Sequence, residues 1–181
     1  MRRAKGRLLL GGLLGAAVLG ALWLIQRPLL EVRLEEGPVV WREAVLPGEP
    51  VVLSYRHSVT GQPVREVYAL SNRGEVQVRE HAYRAQGAGL GQLAGDGRTV
   101  EAPGGWTRVV EMDRPVGRFA LRVGQSPQDH RLQVRGREME LSRTLSGRRV
   151  WIGGRPARLW EWLRHRRPEG PDRPAPWEET P

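Results

Sequence analysis

The chain contains no cysteine. Disulfides, cysteine nucleophiles and thiolate metal sites are therefore excluded. Lysine is almost absent as well: Lys5 stands alone beside 28 arginines. One Phe and one Asn contrast with seven Trp, and the scarcity of Asn together with absent Cys agrees with heat tolerance. No His-Glu-x-x-His occurs, and His57, His81, His130 and His165 form no close pair in sequence. A metal site would have to join His57, Glu66 and His81 across strands, so no metal or cofactor is expected. The Gly-x-Ser-x-Gly elbow of serine hydrolases is also missing.

The net charge of +9 invites a nucleic-acid reading. Its distribution argues against one. Residues 1–30 carry +5, residues 31–154 only +3, and the remainder +1. A nucleic-acid module concentrates charge on its folded domain, whereas these arginines alternate with acids. No nucleic-acid partner is expected.

The basic N-terminal flank precedes an uncharged, mostly apolar run of 18 residues, Leu8 to Ile25. As a helix it would cover about 27 Å, close to the thickness of a bilayer core. A cleaved signal peptide would have a shorter run and a small-x-small site after it. Here the run ends on bulky Leu22-Trp23-Leu24-Ile25, so an uncleaved anchor is the expectation. Four positive residues precede the run and only Arg27 follows closely. The positive-inside rule then puts residues 1–28 in the cytoplasm and membrane, and the rest outside, in the periplasm.

From Leu29 onward the apolar period changes to two, and helical periodicity is missing. Candidate strands are Leu30–Glu35, Val39–Leu46, Pro50–Val59, Val64–Asn72, Glu75–Arg84, Gly105–Met112, Val116–Gly124, His130–Arg135, Glu138–Leu145 and Arg148–Ile152. Turn signals such as Pro47-Gly48, Asn72-Arg73-Gly74, Gly95-Asp96-Gly97 and Arg135-Gly136 separate them. The pattern predicts an all-β domain over 29–154, an antiparallel sandwich or partly open barrel. Residues 155–168 read as a short basic helix beginning at Pro156. Its tryptophans suit either a lipid surface or packing on the domain's own sheet. The Pro-rich segment 169–181 is expected to be disordered.

Leu53–Tyr68 reads as a hairpin around Thr60-Gly61-Gln62-Pro63. If Val59 faces Val64, then Tyr55 faces Tyr68, Leu53 faces Leu70, and His57 faces Glu66. Period-two alternation places all eight on one face. Directly opposite Cβ atoms lie about 5 Å apart, within reach of a carboxylate–imidazole hydrogen bond. Such a pair either fixes the register or forms a ligand site or an oriented general base. Ser58 would point to the other face, away from His57. Further on, Gly87-Ala88-Gly89-Leu90-Gly91 permits positive φ. It reads as a bend after a strand or as amides offered to an anion. It is not a dinucleotide fingerprint, because Gln92 stands at the last glycine position.

His57-Ser58-Val59, Pro63-Val64, Glu66, and Tyr83 followed by Gly87–Gly91 together resemble the domain-of-unknown-function family eighteen-fifty. Gly91 stands where that pattern has proline. The resemblance implies a small exported domain beside, or fused to, permeases of TAXI-type TRAP transporters, which import organic acids with an extracytoplasmic binding protein. It offers no catalytic residues. By position it singles out His57, Ser58, Glu66, Tyr83, Gly87, Ala88, Gly89 and Leu90 for binding a partner or a carboxylate solute. The expected function is thus a membrane-anchored accessory of such a transporter, with its permease or binding protein as partner. The alternatives are an exported hydrolase or metal-dependent enzyme built on His57 and Glu66, or a structural envelope protein.

Overall fold

The apolar alternation becomes two antiparallel sheets. The computed structural model describes residues 20, 24–84, 97–171 and 175. Its strands are β1 (Gln26–Leu34), β2 (Val39–Ala44), β3 (Val51–Arg56), β4 (Pro63–Leu70), β5 (Val76–Tyr83) and β6 (Arg98–Ala102). They continue with β7 (Trp106–Val110), β8 (Arg114–Pro115), β9 (Phe119–Arg122), β10 (Arg131–Val134), β11 (Arg137–Glu140) and β12 (Arg149–Arg158). Two short helices are α1 (Leu141–Leu145) and α2 (Leu159–His165). The first sheet runs β2-β1-β12-β9; the second runs β11-β10-β3-β4-β5-β7-β6, with β8 also paired to β5. This is the sandwich member of the expected pair of architectures.

The core lies between the inner faces. Leu30, Val32, Val150 and Ile152 of the first sheet meet Val51, Leu53, Leu70, Leu132 and Val134 of the second. Tyr68 stacks on Phe119 with ring centroids 4.9 Å apart, joining the sheets through an aromatic pair. The β10–β11 connection is a two-residue hairpin loop, with Arg135 at φ 52° and Gly136 at φ 69°. Both angles are those of the turn that matches strand twist.

Several expectations shift. Strand β1 begins at Gln26 rather than Leu30. Leu141–Leu145, expected as the end of a strand, is helix α1. Strands β6 and β8 were not anticipated. Strand β12 continues past Gly154 to Arg158, and Pro156 pairs with Pro28 inside the sheet instead of opening a helix. Among the described residues, no helix is long and apolar enough to cross a membrane; the run Leu8–Ile25 lies almost wholly outside them.

Helix α2 packs on its own domain through one face. Trp162 is buried with Leu29, Ala44 and Ala157, and its indole N–H donates to the Val45 carbonyl at 3.0 Å. The chain beyond is held by charge. Glu43, fully buried on β2, lies 4.0 Å from Arg135 and 3.7 Å from Arg137. Burial pushes the Glu43 carboxyl up, against the pull of Arg137, Arg167 and Arg135. Arg135 also meets Glu49 at 3.1 Å and Glu169 at 2.9 Å, and Arg166 meets Glu49 at 3.0 Å. Gly136 and Gly170 touch backbone to backbone, where a Cβ on either would collide. The start of the expected disordered tail is therefore docked, and Ala175 is buried against Trp106 and Ala82.

These contacts give the sandwich two distinct ends. Gln26, Ala44, Glu49, Val51, Arg135 and α2 gather at one. Leu34, Arg149 and Arg122 gather at the other, because Leu34 pairs with Val150 and Arg149 with Arg122. The nine residues of β1 separate the ends by about 30 Å.

Trp162→Ala removes both packing and a buried hydrogen-bond donor. It is expected to cost about 3–5 kcal/mol, read as a lower midpoint in urea denaturation.

Candidate functional site

The β3–β4 hairpin has a different register from the expected one. Leu53 faces Glu66, Tyr55 faces Val64, and the last pair is Arg56 with Pro63. The cause is the loop. His57 N–H donates to the Gln62 carbonyl and Gly61 N–H to the His57 carbonyl, each at 2.8 Å. The imidazole Nδ1 of His57 accepts from the N–H groups of Val59 and Thr60 at 3.3 and 3.4 Å. Thr60 Oγ1 accepts from Gln62 N–H at 3.3 Å. Side chains thus satisfy backbone donors that a longer ladder would have used. Gly61 takes φ 67°, which glycine tolerates best.

The shift is four residues, an even number, so Glu66 stays on the inner face. Its partner changes. His57 leaves the ladder, and Glu66 pairs across the next hairpin with His81 of β5. His81 Nδ1 lies 3.5 Å from Glu66 Oε1. Tyr55 donates to Oε1 at 3.2 Å and Tyr68 to Oε2 at 2.6 Å. The expected His57–Glu66 pair is therefore corrected to His81–Glu66, with two tyrosine hydroxyls completing the carboxylate's shell. Burial first, and the Glu66 charge second, push both tyrosine hydroxyls far up, so they remain donors. Burial holds the His81 imidazole below its usual value, although Glu66 pulls the other way. Its Nε2 is buried and has no hydrogen-bond partner among the described residues.

Glu66, Tyr68 and His81 line an inner cavity of about 160 Å³, walled by Val78, Met112, Val116 and Phe119 with Arg114 beside them. Tyr83 does not line it. Buried with Val64 and Tyr55, it meets the His81 ring edge-on, with centroids 5.6 Å apart.

His57 and Ser58 line a second, larger cleft of about 580 Å³ at the Arg122 end of the sandwich. Alternation does not apply in a loop, so the two face the same space, contrary to the strand-based expectation. The opposite wall is the β9–β10 connection, Val123 to His130, with Arg122. Arg56 N–H donates to the Gln128 carbonyl at 2.7 Å and ties the walls together. His130 is stacked on Tyr55, with centroids 5.1 Å apart and planes 12° apart. Its Nδ1 accepts from Gly124 N–H at 3.2 Å. Ser142 of α1 accepts from His130 N–H and donates to the Gly124 carbonyl, both at 2.8 Å. Burial lowers the His130 pKa despite the pull of Asp129.

The electrostatics follow. In both His57 and His130 an N–H group occupies Nδ1, so the ring proton sits on Nε2 as a donor. Arg56 and Arg122 add two guanidinium groups, and none of the described residues lining the cleft is acidic. A space walled by two cations and two fixed imidazole donors favours anionic oxygen. Sequence reasoning found His57 and Ser58 but missed Arg56, Arg122 and His130. Those three come from separate segments with no shared spacing. Gly87, Ala88, Gly89 and Leu90 lie outside the described residues. Among the described residues, no three of His, Cys, Asp and Glu cluster as a metal site would need.

The profile of the family described as domain of unknown function DUF1850 matches residues 51–141, half of the chain. The chain belongs to this family. The matched segment carries the Glu66 cluster, the inner cavity and every residue of the larger cleft except Gly147. No curated protein and no solved structure matches the chain.

The depressed pKa values of His81 and His130 bear on stability. The unfolded chain binds protons near each histidine's ordinary value of about 6.5, and the folded chain only at lower pH. Their stabilising effect is therefore complete above about pH 6.5 and is lost as pH falls towards the folded values. Each contributes a slope of up to about 1.4 kcal/mol per pH unit in that window. His81→Gln is expected to flatten the slope by one proton's worth, measured by denaturant unfolding across that pH range.

Proposed function

We propose that this DUF1850 member is a membrane-anchored extracytoplasmic module that binds a carboxylate-bearing solute in the larger cleft. It serves as an accessory of a TAXI-type TRAP organic-acid transporter. The observation that carries the binding reading is the convergence of Arg56, Arg122, His57 and His130 on one cleft, with no acidic residue among the described residues that line it. Its volume of about 580 Å³ falls within the range of small-molecule sites. The transporter association rests on the family resemblance, and the anchor on the apolar run Leu8–Ile25. Two features support this arrangement. Organic acids are the substrate class such transporters carry, and carboxylates are the ligands this cleft's chemistry prefers. The cleft also lies at the end of the sandwich opposite Gln26, where the chain leaves that run, so an anchored domain would present it away from the bilayer.

The enzyme alternative has weaker support. It required His57 and Glu66 to act together. His57 lies four residues beyond the strand position opposite Glu66, about 13 Å along the strand. The two side chains line different cavities.

Calorimetric titration of the full chain in detergent tests the binding reading. Monocarboxylates and dicarboxylates are expected to bind, and amines of matched size are not. Arg122→Gln is expected to weaken binding about tenfold or more, the loss of one charge-assisted hydrogen bond. Absence of heat with every carboxylate, in a protein that still unfolds cooperatively, removes the solute role. Recovery of a TRAP permease or its binding protein with the native chain from solubilised membranes tests the accessory role separately.

A further inference from the structure

The tryptophans of α2 divide between two environments. Trp162 is buried, whereas Trp160 is 44% exposed and Leu163 56% exposed. Trp160, Leu163 and Arg164 stand at i, i+3 and i+4 and so share one face of the helix. The Arg164 guanidinium lies over the Trp160 ring, 4.9 Å from its centroid. Arg158, just ahead of the helix, is exposed as well. The one acid of the helix, Glu161, is turned to Arg155. The outward surface therefore combines an indole, an aliphatic side chain and arginines. That is the composition of a surface lying at the boundary between headgroups and acyl chains, with anionic lipid matching the arginines.

Its position says what covers it. Leu159 N–H donates to the Ile25 carbonyl at 3.1 Å, and Gln26 pairs with Arg158 at the end of the β1–β12 ladder. Ile25 is the last residue of the apolar run, and Leu24 beside it is 80% exposed. Helix α2 is thus hydrogen-bonded to the point where the run ends. Any bilayer that holds the run meets α2 at its surface.

We propose that the outward face of α2, formed by Trp160, Leu163 and Arg164 with Leu24 beside it, docks on the bilayer's own anionic phospholipid surface. This rests on the anchor reading given above and adds to it a second, fixed contact. A single span would let the domain swivel on its tether. The α2 contact sets its tilt and stands the sandwich upright, with the Arg56–Arg122 cleft about 30 Å from the headgroups, one length of β1.

The absence of cysteine supplies a clean test. Leu163→Cys gives a unique site for an environment-sensitive fluorophore, and Val59→Cys, at the cleft end and 76% exposed, gives a second. Each full chain is reconstituted into nanodiscs of phosphatidylethanolamine and phosphatidylglycerol. The probe at position 163 is expected to shift to the blue and to be quenched about twofold or more by headgroup spin labels, as an interfacial residue would be. The probe at position 59 is expected to remain accessible to a water-soluble quencher. As a label-free readout, Trp160→Phe is expected to remove part of the emission that brominated lipid quenches. A chain that enters the nanodisc with position 163 as water-accessible as position 59, and unquenched by lipid labels, overturns the inference while leaving the anchor intact. Protection of position 163 only when the transporter is present assigns the face to a protein and overturns it too. A chain that fails to enter the nanodisc overturns the anchor together with the inference.

Discussion

A carboxylate on the inner face of a β-sandwich sets conditions for its surroundings. Left without donors, such a group costs several kcal/mol. Glu66 is answered by Tyr55 and Tyr68 and stands beside His81. Each tyrosine then does a second thing with its ring. Tyr68 stacks on Phe119 and couples the second sheet to the first. Tyr55 stacks on His130 and couples the inner face to the wall of the cleft. Fixing two hydroxyls on one carboxylate fixes two rings, and those rings hold the sheet packing and one of the imidazole donors. The orientation of His130 depends in addition on Gly124 and Ser142, so the cleft wall is braced from both sides.

Parity was legible in the sequence and register was not. Alternation placed Leu53, Tyr55, Glu66 and Tyr68 on one face, which the structure confirms. Opposite neighbours depend on how the loop closes. Counting backbone pairs alone gave a four-residue loop; the side chains of His57 and Thr60 close a six-residue one, 57–62. The same reasoning carried through the next turn, Asn72-Arg73-Gly74, would have brought His81 near Glu66, because their paired positions straddle it. A bulge between Val67 and Tyr68 in that ladder blurs the count by one. Leu141–Leu145 was misread for a related reason. Its apolar ends fit a strand, but a helical turn lets Leu141 reach the core while Ser142 bonds His130 and Gly124. Arg122 and His130 were invisible as site residues, since nothing local marks two residues that only a sheet end brings together.

The family segment and the folded unit do not coincide. Residues 51–141 contain β3 to β11, the second sheet and one strand of the first. Strands β1, β2 and β12 lie outside the match, yet Leu30, Val32, Val150 and Ile152 fill the same core. Half-buried sheets need a partner layer, so the matched segment depends on its flanks to cover its inner face. The flanks meet at the α2 end, where Glu43, Glu49, Arg135, Arg166 and Glu169 form one charged cluster. Cation and acid numbers nearly balance there, which is why the many arginines of this region leave so little net charge for a nucleic acid. Arg135 is the shared partner of Glu43, Glu49 and Glu169, so its loss is the costly case for such a cluster.

The proposed recognition role fits how the polar groups are already used. A general base needs a free lone pair beside the substrate and a group that orients it. His57 and His130 line the open cleft, but backbone N–H groups occupy their Nδ1 atoms and leave only N–H donors. His81 has the opposite arrangement: a carboxylate beside Nδ1 and an Nε2 without a hydrogen-bond partner among the described residues. It is buried, and the cavity it lines is about 160 Å³, below the usual range for small-molecule sites. Ser58, the hydroxyl nearest His57 in sequence, shares a cleft with imidazoles whose Nδ1 atoms already accept backbone N–H groups. Among the described residues, base-like geometry and substrate-sized space therefore occur in different cavities. What the larger cleft retains is a set of donors held in place before any ligand arrives, and pre-placed donors of one polarity discriminate anions at little ordering cost.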